Sequence, residues 1–139
     1  MGKIICEYIR EDSIMTEIKI SENSNYIIVR VDENMTKSLA EHLGIEASNL
    51  GKKKHITKFL YDLRNSRNIE SINTNYIFAY QEVKKIDLNP GNMVAMLTSV
   101  GDNSHNFVET VLRNAGFNVR IFNEEQEALK WLQTESEIM

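Results

Sequence analysis

The residue best placed to do chemistry in this sequence is Asp62. It stands near the end of the run Thr57-Lys58-Phe59-Leu60-Tyr61-Asp62-Leu63, which suits an interior strand. The carboxyl end of such a strand is where α/β sheets place their sites. A second apolar run, residues 93–98, leads into Thr98 and Ser99. A carboxylate beside hydroxyls on neighbouring strand ends could accept a phosphoryl group. It could equally bond locally to Arg64 or Arg67, which follow it. Phosphoryl transfer needs electrostatic support from a metal or a fixed cation. Local pairing of Asp62 is the expected outcome, with Asp62, Arg64, Thr98 and Ser99 forming a strand-end cluster.

Other chemistry-bearing residues have ordinary roles. The histidines are His42, His55 and His105, with no H-E-x-x-H or C-x-x-C spacing, so no metal site is expected. Asp102 and His105 could orient each other, but Asp, Asn and Ser before a helix are common turn and cap residues. Gly51-Lys52 is not a phosphate-cradling loop, because position 46 is Glu and position 53 is Lys. G-x-G-x-x-G and G-x-S-x-G are absent. Tyr76 and Tyr80 share a helical face, which more often means core than a stacking platform. These tests point to a protein that is not an enzyme and needs no cofactor.

The elements that must position these residues alternate in type. Residues 3–9 and 14–20 read as strands joined at Glu11-Asp12-Ser13. In the second, Ile14, Thr16, Ile18 and Ile20 face one way. Residues 26–31 form a third, more deeply buried strand. A helix fits 35–43, with Asn34 or Thr36 as its cap and Gly44 as its stop, and a polar loop follows over 45–55. Then come a strand at 57–63, a helix at 72–86, a turn at Asn89-Pro90-Gly91 and a strand at 93–98. A helix at 104–115 has Ser104 as its cap and Gly116 past its end. A strand at 118–122 precedes a final helix opened by Asn123 and Gln126 in a capping box. The expectation is one α/β domain over residues 1–139. Its single mixed β-sheet is antiparallel at the N-terminal strands and parallel through the C-terminal βαβαβα.

The 139 residues carry 16 basic and 20 acidic side chains, a net charge of −4. That balance argues against nucleic acid, which needs clustered Lys and Arg. The one basic run, Lys52-Lys53-Lys54, reads as solvated. One cysteine, Cys6, cannot form an internal disulfide. No run of about 18 apolar residues exists to span a membrane. The N-terminus lacks the apolar core of a signal peptide, so the cytoplasm is the expected location.

Asp62 with Thr98 and Ser99 resembles the phosphoacceptor site of response-regulator receivers, but their acidic pair after the first strand and their Lys after the last have no counterpart here. A broader resemblance runs over residues 56–133. It rests on Phe59-Leu60-Tyr61-Asp62-Leu63-Arg64-Asn65, Asn75-Tyr76-Ile77-Phe78-Ala79-Tyr80, Asn114-Ala115-Gly116-Phe117 through Phe122, and Glu127-Ala128-Leu129-Lys130-Trp131-Leu132. This pattern resembles the small bacterial STAS-like proteins related to the anti-sigma-factor antagonists, which share a superfamily with the CRAL-TRIO lipid-transfer domains. The resemblance implies helices mainly on one face of the sheet and a regulatory, protein-binding role. It also implies a phosphoacceptor serine at a helix start, for which Ser71, with Ser66 in the same loop, is the match. The Asp-Ser-Ser-Gly signature of the family is absent. An apolar ligand, and a homodimer paired through the N-terminal strands, are further expectations.

Overall fold

The computed structural model describes residues 5–9, 16–71 and 91–134. The expected turn at 11–13 and the expected helix over 72–86 lie outside them.

Six strands form one sheet in sequential order: β1 (Ile5–Ile9), β2 (Thr16–Ile20), β3 (Ile27–Val31), β4 (Lys58–Asp62), β5 (Met93–Leu97) and β6 (Asn118–Phe122). β1, β2 and β3 pair antiparallel, while β3 through β6 run parallel. The mixed sheet is the one that the sequence implies. The parallel register aligns Arg30 with Asp62, Asp62 with Leu97 and Leu97 with Phe122. The carboxyl ends of four strands therefore open onto one rim.

Helix α1 (Lys37–Lys54) joins β3 to β4, α2 (Asn106–Asn114) joins β5 to β6, and α3 (Glu125–Leu132) follows β6. The crossovers through α1 and α2 step the same way along the sheet, and crossovers of one hand that step one way lay their helices on one face. Leu39, Leu43, Ala47 and Leu50 of α1 and Val111 and Leu112 of α2 accordingly share a core with Ile18, Val29, Phe59 and Val119. On the other face, Ala128 and Leu132 of α3 pack with Leu60, Met93, Ala95 and Leu97. β5 buries side chains on both faces, which explains its unbroken apolar run. β3 buries Ile27, Val29 and Val31 but leaves Arg30 exposed, so it alternates rather than being buried throughout.

Three local expectations need correction. Gly44 does not end α1, and residues 45–54 are its second half rather than a polar loop. The leucine stripe continues through Ala47 and Leu50. Gly44, Ser48 and Gly51 are buried as well, a second row of small residues that lets the helix lie close to its neighbours. A Cβ on Gly51 would stand 2.7 Å from Phe59 Cζ and 2.8 Å from the Ile56 carbonyl oxygen. The true stop is His55, left-handed at φ 59°, with the Ile56 amide donating back to the Gly51 carbonyl. A histidine at a position that favours glycine hides that stop from sequence reading. Thr36, as expected, caps the start by accepting from the Leu39 amide at 3.1 Å. Ser104 and Asn123 are not caps: α2 and α3 begin after His105 and Glu124, without side-chain capping bonds. Gly116 does stand past α2, at φ 98°, where the Gly116 and Phe117 amides reach back to Arg113 and Leu112.

Candidate functional site at the carboxyl rim of the sheet

Asp62 ends β4, and Arg64 turns back onto it. Arg64 Nε donates to Asp62 Oδ1 at 2.9 Å and Nη2 to Oδ2 at 2.8 Å, a bidentate fork with both charges engaged. Nη2 also reaches Glu125 Oε1, in the first turn of α3, at 3.2 Å. Burial works to raise the Asp62 carboxyl. The Arg64 guanidinium and amide, with Arg30 on the adjacent strand, outweigh it and hold the group below its ordinary value. Arg64 is raised in turn, first by its bond to Asp62 and then by Glu125. The carboxylate is an ionised partner of a fixed cation, which lowers its readiness to act as a nucleophile or proton carrier at neutral pH.

Thr98 and Ser99 leave β5 beside this pair. The Ser99 hydroxyl donates to the Arg64 carbonyl at 2.7 Å. Asn123, just past β6, donates through Nδ2 to the Thr98 hydroxyl at 3.0 Å and the Thr98 carbonyl at 3.2 Å. The four strand-end residues expected to meet do share this rim, and their hydrogen bonds run mostly to one another and to backbone. Asn123 and Glu125 belong to the same cluster. Sequence reading misplaces Asn123 as a cap, although its position just after the last parallel strand already puts it on the rim.

The turn that follows is pinned. The Asp102 amide donates to the Ser99 carbonyl at 3.0 Å, and Gly101 takes φ 89°, a conformation suited to glycine. Val100 at its tip is 81% exposed. Asp102 accepts from the Ser104 amide at 2.9 Å and lies 3.7 Å from Arg67 Nη1. Burial raises its carboxyl, but the Ser104 bonds, His105 and Arg67 hold it below the ordinary value.

His105 and Asp102 do not form a catalytic pair. The buried His105 ring places Nε2 2.8 Å from the Ser66 carbonyl and 4.0 Å from Asp102. A carbonyl only accepts, so Nε2 carries the proton. The ring ties the β5–α2 loop to residues 63–71. Those residues are further held by the Asn68 amide on Ser104 Oγ, Asn65 on Asp32, and Met35 bonded to Arg67 and Ile69.

The phosphoacceptor candidates differ in access. Ser66 is 2% exposed, and its hydroxyl has no hydrogen-bond partner among the described residues. Ser71 is exposed. It follows Glu70, whose Oε2 accepts from the Lys37 amide at the start of α1 at 2.7 Å. Among the described residues, no three His, Cys, Asp or Glu side chains come together as metal ligands, and no helix is long and apolar enough to cross a membrane. No protein-family model matches the chain, and no curated protein matches its sequence.

Proposed function

We propose that the chain is a non-enzymatic regulatory module of STAS-like type that offers its carboxyl rim to a protein partner. One observation carries the reading. Val100 is held outward at 81% exposure by a closed turn whose base is bonded to Arg64 and Asn123. A flexible apolar loop could fold back, whereas this one keeps a β-branched side chain in water, leaving its burial to a partner. Ile69 and Arg67 stand exposed on the same rim, and an apolar group beside a cation suits a protein contact. The groups that could do chemistry there are occupied in holding the loops. Two helices on one face are in keeping with the STAS-like resemblance. The lone cysteine suits a reducing cytoplasm.

The test is quantitative affinity capture with the wild-type chain, V100E and a distant control, K53E. A protein enriched by wild type and K53E but lost with V100E supports the reading. Turnover of a substrate that disappears in Asp62→Asn would sink it.

A second reading is a phosphoacceptor switch at Ser71, favoured by the exposure of Ser71 next to the Glu70 cap of α1. A phosphate there would compete with Glu70 for the α1 amides. Absence of phosphate on Ser71 in protein isolated from its own cells would count against it. Asp62, committed to Arg64, is the weaker acceptor.

A further inference from the structure

Among the described residues β6 is the last strand on its side of the sheet, and an edge strand is a template for another chain. The Phe122 carbonyl accepts from Thr98 on β5. Backbone groups of alternate residues point to opposite sides of a strand, so Phe122, Arg120 and Asn118 turn theirs toward β5, and Val119 and Ile121 turn theirs outward. The outward Ile121 amide does not face water alone. It donates to Glu109 Oε2 at 2.7 Å, from the first turn of α2.

We infer that Glu109 shuts the β6 edge against pairing with a second copy of this chain. The occupant follows from symmetry. Val119 and Ile121 are equally spaced about Arg120, so an antiparallel copy places the Val119 donor and acceptor opposite those of Ile121 in register. Glu109 occupies one of the two donors that this pairing needs, and its carboxylate stands where the partner's carbonyl would lie. Arg120 adds a second obstacle. It would sit opposite its own counterpart, where side chains are about 5 Å apart at Cβ and like charges destabilise. In the isolated chain its guanidinium instead lies 5.6 Å from the Trp131 ring centre, a favourable cation–π distance. The inference rests on the Glu109–Ile121 hydrogen bond and does not depend on the proposed function.

The experiment is sedimentation velocity on the full chain over a wide concentration range. Glu109→Ala shifts the chain toward a dimer, tightening self-association by about tenfold, and Glu109→Ala with Arg120→Thr tightens it further. Glu109→Gln, whose amide oxygen still accepts from Ile121, behaves as wild type. Adding Ile121→Pro to Glu109→Ala removes the edge donor and abolishes the dimer. A dimer that survives this addition, or a Glu109→Ala chain that is folded yet associates no more than wild type, overturns the inference. Should Glu109→Ala fail to fold, hydrogen exchange on the wild-type chain decides. A protected Ile121 amide supports the cap, and exchange at the rate of an open amide refutes it.

Discussion

The core beneath α1 and the polar rim at the strand ends hold the same sheet by different means. Under α1, apolar side chains from two helices and five strands interlock, so each residue contributes through area and shape. On the rim, Asp62, Ser99, Asn123 and His105 each satisfy named partners, and the apolar Val100 contributes nothing inside the chain. Area tolerates no change of volume but accepts any apolar chemistry of the right shape. One-to-one bonds tolerate changes of volume but not of charge or donor. The two also differ in what they leave outside: Val100, at the tip of the rim turn, is 81% exposed.

That contrast can be broken most forcefully at Leu43, which is fully buried. Leu43→Ala should cost about 2–5 kcal/mol in chemical denaturation, by lost transfer energy plus a cavity. A cost below that of a rim substitution would end the distinction. Next is Gly51→Ala. An alanine gains about 1 kcal/mol of helix propensity over glycine. Its methyl group meets the Ile56 carbonyl, which cannot swing away, and overpacking of this kind costs about 1–3 kcal/mol. The net effect should be a lower melting temperature, whereas an unpacked exposed helix site would show a higher one.

Asp62→Asn tests the rim. The folded carboxyl lies below its ordinary value of 3.8, so its stabilising contribution is present above that value and is lost as pH falls through the folded one. The variant should lose about 1 kcal/mol at neutral pH, reduced by the exposure of Arg64 to water. It should also show a shallower loss of stability on acidification than wild type. An equal acid slope would mean that the pair does not stabilise the fold. The smallest effect is expected at Val100. Val100→Ser should change stability by less than about 0.5 kcal/mol, while weakening any partner captured through the rim. A large loss of stability would place Val100 in the fold instead.

Much of this was legible in the chain. Alternation at Thr16, Ile18 and Ile20 specified a half-buried strand, and the unbroken run from Met93 marked the strand covered on both faces. Asp62 with Thr98 and Ser99 could be placed on one edge because parallel strands end together. What could not be read had contacts distant in sequence as its cause. Gly44 looks like a helix stop, yet it is buried within α1, and His55 looks unsuited to a left-handed turn, yet it ends the helix with the Ile56 amide bonded back to the Gly51 carbonyl. Asn123 and Ser104 have the chemistry of caps, and sequence alone cannot say that Thr98 and the Asn68 amide compete for them.

By itself the sequence determined the order of the described strands, the parallel half of the sheet and the edge on which polar residues gather, because periodicity and chain direction are local properties. Only the tertiary structure decided who bonds to whom: that Arg64 reaches Glu125 as well as Asp62, that His105 serves the Ser66 carbonyl and not Asp102, and that Glu109 covers the Ile121 amide. Hydrogen bonds depend on distances of tenths of an ångström between residues far apart in the chain, and those distances exist only once the sheet and helices have packed.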